Sequence, residues 1–172
     1  MDCIKIKKIH RINIIKRTNL NVLFSSYKLC SWLKEGVNME SKKIRKECEE
    51  LWAKNKYYVL SKSHKVYLEI REYLKKKEVD FLFLNEKIQR VRNIEESKKD
   101  FSNAILHVWG YFKNEATEIE KQGLCNLLQE YMKGKNNQKS VIEYINILLK
   151  KYPNEYLQKS TLLTGEKDET VA

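Results

Sequence analysis

The sequence predicts an all-α protein: a single compact domain of about five to six helices. Three observations carry this. Proline occurs once and glycine five times in 172 residues, too few for a turn-rich β architecture. Apolar residues recur at helical spacing from Ser41 to Tyr152, and no run of strands at regular spacing interrupts them. The length supports one sizeable core and not comfortably two.

Residues 1–38 are expected to form a basic extension outside the core. Charge is scattered through IKIKKIHRINIIKR, leaving neither an uninterrupted signal-peptide apolar region nor a clean amphipathic period. Met39 opens MESKKIRKECEELW, where the periodicity becomes regular, and is expected to be an alternative translation start. The other reading of the extension is a basic arm that folds on nucleic acid or a membrane surface. From Ser41, the one-sided stripe of Ile44, Cys48, Leu51, Trp52, Asn55 and Val59 marks the first long helix. Ser63 is a good N-cap for a second, burying Val66 or Tyr67, Ile70, Tyr73 and Leu74, and the two should pack as a hairpin. After Lys75-Lys76-Lys77, a third helix carries Phe81, Leu84, Ile88 and Val91.

Phe101 to Lys113, FSNAILHVWGYFK, is the most tightly specified run. Phe101, Ile105, Val108 and Phe112 share one narrow helical stripe, flanked by Leu106 and Trp109, so this helix should be buried. Opposite Phe101, the spacing aligns Asn103, His107, Gly110 and Asn114 in what reads as a shallow polar groove. A glycine inside a helix costs about 1 kcal/mol relative to Ala, a cost explained if a backbone, ring or ligand comes close. The plainer explanation, and the one the residues favour, is helix-on-helix packing with a hydrogen-bonded core histidine. Thr117 with Glu120 and Ser140 with Glu143 both have capping-box form and should each start a helix. The first should end near Gly134 and the second at Tyr152-Pro153. A short turn is expected over Glu155 to Lys159, the domain should span residues 39–163, and residues 164–172 should be a disordered tail.

The net charge of +11 is uneven, with eight basic residues against Asp2 and Glu35 in residues 1–38, leaving a mildly basic body. The four cysteines, at 3, 30, 48 and 125, show no zinc-like spacing and no disulfide framework, so no metal and no cofactor is expected. No apolar run approaches the roughly 20 residues of a membrane span, and with no secretion signal evident a cytoplasmic protein is expected. Phosphate loops, G-x-S-x-G, H-E-x-x-H and dinucleotide fingerprints are all absent, which counts against a self-contained enzyme.

LWAKNKYYVLSKS (51–63), NAILHVWGYFK (103–113), the Glu120-Lys121 pair, Tyr131 with Gly134, and KYPNEYL (151–157) together resemble the YbgA-like domain of unknown function. The resemblance covers about Met39 to Leu163. Its most specific piece is N-x-x-x-H-x-x-G-Y-F, here Asn103, His107, Gly110, Tyr111 and Phe112. Some members are fused to a TudS-like iron–sulfur desulfidase that removes sulfur from thiouracil, which implies an accessory role near modified bases; bacterial relatives also occur beside photolyase genes. Many relatives place histidines where this chain has Trp52, Asn55, Lys62 and Ile147, and a proline-containing loop where it has Asn136 to Lys139. A metal site built on those histidines would be missing here.

Three functions remain open at this level. The first is a binding module for nucleic acid or a nucleoside, or one that docks on a desulfidase, using Lys54, Lys56 and Tyr57 with Asn103, His107, Gly110, Tyr111 and Asn114. A basic and aromatic pairing suits phosphate and base contact, although packed rings beside solvated lysines would give the same pattern. The second is a small enzyme with His107 as general base, and the third is a scaffold without ligand. Convergence of Lys56, Tyr57, Asn103 and His107 on one concave surface would favour the first.

Overall fold

A computed structural model describes residues 20–165, with side chains from Met39 onward. Its secondary structure is entirely helical among the described residues: α1 Leu20–Lys62, α2 His64–Leu74, α3 Phe81–Val91, α4 Lys98–Trp109, α5 Glu118–Met132, α6 Gln138–Lys151, α7 Glu155–Gln158 and α8 Thr161–Thr164. Eight helices exceed the expected five to six because Ser160 opens an unforeseen final turn, and the expected turn at Glu155 is itself a helix. The chain divides into two units, residues 1–43 and 44–172. Helical backbone is already present at Leu20, the first described residue, ahead of the expected Ser41. Residues 1–19 and most of the expected tail, 166–172, lie outside the described residues.

Most boundaries follow local chemistry. Ser63, Asp80 and Ser97 accept from the amides of Val66, Phe83 and Asp100, satisfying donors that the first helical turn leaves orphaned. Thr117 and Glu120 form the expected reciprocal capping box. The next start is one turn earlier than expected. Asn137, not Ser140, caps α6, and Ser140 donates its amide to the Asn137 side chain at 3.0 Å. The earlier start places Gln138 where its amide donates to the Tyr131 hydroxyl at 3.3 Å. Helix α6 stops at Tyr152, ahead of Pro153, as expected.

Two hydrophobic clusters form, and the last turns of α1 contribute to both. Cys48 and Val59 pack with Ile70 of α2 and Leu84, Ile88 and Val91 of α3. Tyr57 and Leu60 join Phe101, Ile105, Val108 and Phe112, together with α5, α6 and the two final turns. At 100° per residue Tyr57 lies almost opposite Val59, so the one-sided stripe expected for this helix is in fact two-sided. Arg45 ties α1 to the far end of α2, donating to the carbonyls of Leu74 at 3.3 Å, Lys77 at 2.9 Å and Lys76. The Leu74 carbonyl is one that a helix terminus leaves without a partner, and the other two lie in the turn just beyond the cap.

Candidate binding site

The expected polar stripe on α4 has no second element packed against its glycine. Gly110 is the C-cap of α4, in ordinary right-handed geometry (φ −52°, ψ −23°). A side chain added there would meet nothing within 4 Å except the carbonyl of His107 in its own helix, at 3.2 Å. No second element approaches it, which removes the reason given for the glycine. His107 and Asn114 are exposed and Asn103 is half-buried, and none makes a side-chain hydrogen bond among the described residues. His107 is therefore not a hydrogen-bonded core histidine, and no carboxylate orients it as a general base.

A different constellation forms where α1, the turn after α4, and α7 meet. Tyr57 points inward from α1 and is 6% exposed. Its hydroxyl donates to Tyr111 at 3.0 Å. Burial, reinforced by that donated bond, pushes the Tyr57 phenol far above its ordinary range, so it stays protonated and keeps donating. With its oxygen accepting from Tyr57, the Tyr111 hydroxyl has its own proton left for another acceptor. Tyr111 is 39% exposed. Its ring lies nearly parallel to that of Tyr156, with centroids 6.0 Å apart, while Tyr57 meets both rings edge-on at 6.3 and 6.4 Å. The Lys56 ammonium sits 4.6 Å from the centroids of both Tyr57 and Tyr156, a double cation–π contact that holds a charge beside the cluster.

Two short turns fix Tyr156. Asn154 caps α7, and the Tyr156 hydroxyl donates to the Ala53 carbonyl at 3.0 Å. Thr161 Oγ1 lies 3.3 Å from the Lys54 carbonyl and 3.2 Å from Asn55 Oδ1, clamping the start of α8 to the same stretch of α1. Beside this clamp opens a groove of about 800 Å³ lined by Glu50, Ala53, Lys54, Glu155, Tyr156 and Lys159. Lys54 is exposed on its wall. Of the expected residues, Lys54, Lys56, Tyr57 and Tyr111 are thus brought together, whereas among the described residues no hydrogen bond or ring contact joins Asn103, His107 or Asn114 to them. Tyr156 and Lys159 are additions. Their signal was Pro153-Asn154, a helix stop followed by a cap, which aims the next turn back at α1.

Glu120 forms a separate lock. Its carboxylate accepts from Lys151 at 2.7 Å, Tyr152 at 3.0 Å and the Thr117 amide at 2.8 Å, while its carbonyl accepts from Tyr144 at 2.8 Å. The lysine bond, followed by the Thr117 amide, lowers its acid to about 2. This node joins the start of α5 to the end of α6. Trp52, at a position where the resemblance would put a histidine, packs against Tyr67 with ring centroids 5.5 Å apart. No group of three or more metal-binding side chains occurs among the described residues.

Residues 56–165 match the family model described as protein of unknown function, DUF1722. The chain belongs to the DUF1722 family. YbgA-like domains are members of it, so the resemblance carried by the Asn103 to Phe112 motif holds. No curated protein and no solved structure matches the chain. Within the DUF1722 match fall Lys56, Tyr57, Tyr111, Tyr156 and Lys159, the whole tyrosine cluster; Glu50, Ala53 and Lys54, one wall of the groove, precede it. No described helix is long and apolar enough to cross a membrane.

Proposed function

We propose that this DUF1722 domain is a binding module whose tyrosine–lysine face takes single-stranded nucleic acid or a nucleotide. The observation that carries the reading is the Lys56 ammonium held over two tyrosine rings while Tyr111, stacked on one of them, stays exposed. Stacking platforms with flanking cations are how proteins hold unpaired bases and their phosphates. Lys54, Lys56 and Lys159 supply the cations. Glu50 and Glu155 line the same groove, which favours a ligand presenting hydrogen-bond donors as well as phosphates, as a nucleobase with an exocyclic amine does. The free Tyr111 proton suits a phosphate or carbonyl acceptor. Tyr57 works from behind, holding Tyr111 in place.

The test is fluorescence anisotropy with a short single-stranded RNA across a salt series. If the three lysines each neutralise one phosphate, the logarithmic salt slope is about −2. Tyr111→Ala should remove about 1 to 3 kcal/mol of stacking without unfolding the protein, because the ring is partly exposed. A folded protein with no saturable binding at low salt would eliminate this reading. It would leave docking on a protein, such as a desulfidase, as the function of the face.

A further inference from the structure

A second groove, lined by none of the tyrosine cluster's residues, runs between α2 and α3. It has a volume of about 750 Å³ and is lined by residues that include Lys65, Leu68, Tyr73, Lys76, Phe83 and Lys87. Its floor is apolar: Leu68 and Phe83 are 43% and 42% exposed, and the Tyr73 and Phe83 rings pack at 4.7 Å. The walls are fixed. The Tyr73 hydroxyl accepts from the Asp80 amide at 2.7 Å, and Lys87 bridges to Glu69 at 2.8 Å across the two helices. The carboxylates here are satisfied, Glu69 by Lys87 and Glu72 by Lys75 at 2.6 Å. Neither Lys65 nor Lys76 comes within 4.0 Å of a carboxylate among the described residues; Lys65 adds only a weaker, longer-range attraction to Glu69, and Lys76 lies 5.3 Å from the Tyr73 centroid.

An apolar floor between unpaired cations is complementary to an apolar ridge flanked by carboxylates. We infer that this groove docks an acidic amphipathic helical segment of a partner protein, its apolar ridge seated on Leu68 and Phe83 and its carboxylates on Lys65 and Lys76. A second copy of the chain is disfavoured as the occupant by the net charge of +11, which repels like molecules. The inference is independent of the nucleic-acid reading and uses none of its residues.

The test uses the full chain and two synthetic helical peptides of about four turns, identical in their leucine ridge. One carries glutamates beside the ridge and the other lysines. By fluorescence anisotropy the glutamate peptide should bind saturably and at least about tenfold more tightly than the lysine peptide. Leu68→Glu and, separately, Lys65→Glu with Lys76→Glu should each weaken it about tenfold, whereas Tyr111→Ala should leave it unchanged. Circular dichroism checks folding, and Phe83→Ser replaces Leu68→Glu should that variant unfold. Equal affinity for the two peptides, no binding, or indifference to these groove substitutions would overturn the inference. So would a dimer in light scattering that Leu68→Glu dissolves, since the groove would then be a self-association surface.

Discussion

Replacing Gly123 with alanine gives a sharp test of the packing between α5 and α6. A Cβ built there lies 2.6 Å from Tyr144 Oη and 3.2 Å from its Cζ. The ring must retreat roughly 0.8 Å to restore an ordinary contact, and its hydroxyl then gives up the 2.8 Å bond to the Glu120 carbonyl. A lost hydrogen bond costs about 0.5 to 1.5 kcal/mol and overpacking about 1 to 3. Against that, alanine in place of glycine inside a helix gains about 1 kcal/mol. The net is a destabilisation of about 0.5 to 3.5 kcal/mol, or a fall of about 2 to 4 °C in Tm per kcal/mol for a chain of this size. In a Tyr144→Phe background the offending oxygen is gone, so Gly123→Ala should cost much less or stabilise. A double-mutant cycle by urea denaturation should show a coupling of about 1 to 2 kcal/mol. Equal stabilisation by Gly123→Ala in both backgrounds would refute the contact.

Gly110→Ala should behave in the opposite way, gaining about 0.5 to 1 kcal/mol in urea melts, because no second element crowds it. Tyr57→Phe should cost about 0.5 to 1.5 kcal/mol through the lost bond to Tyr111, and Tyr57→Ala about 3 or more as a core cavity; calorimetry separates the two. Glu120, lowered to about 2 from an ordinary 4.5, contributes stability that is full above the unfolded value and lost as pH falls through the folded one. The stability gap between wild type and Glu120→Gln should therefore be constant near neutrality and shrink between about pH 4.5 and 2 in denaturant titrations. Truncation at Met39 should leave Tm within a few degrees, since residues 1–38 show no clean amphipathic period to contribute to a core.

What could be read from the sequence was what local periodicity and capping encode. The buried stripe of Phe101, Ile105, Val108 and Phe112, the Thr117–Glu120 box and the stop before Pro153 are all present, because each is decided within one or two turns. The differences share a cause in tertiary context. The sequence left Tyr57 open between stacking and packing because periodicity assigns a helix one buried face, and nothing local says that α1 has protein on two sides; the ring is packed. Asn137 and Ser140 are both competent caps, and the choice depends on Gln138 reaching Tyr131, a contact across the turn from the preceding helix. Gly110 drew attention for a close approach that occurs instead at Gly123, where the approaching atom comes from Tyr144, 21 residues on. Three of the five residues of the proposed face, Lys54, Lys56 and Tyr111, were legible. Tyr156 and Lys159 join it only because Asn154 and Thr161 turn the chain back onto α1.

The central claim is that a single-stranded ligand lies on the tyrosine–lysine face, and the most direct measurement is amide chemical-shift mapping of the 15N-labelled full chain with a short single-stranded RNA. Saturable shifts concentrated at Lys54, Lys56, Tyr111, Tyr156 and Lys159, abolished by Tyr111→Ala, are the predicted result. Shifts centred on Asn103, His107 and Asn114, or none at all from a folded protein, would contradict it.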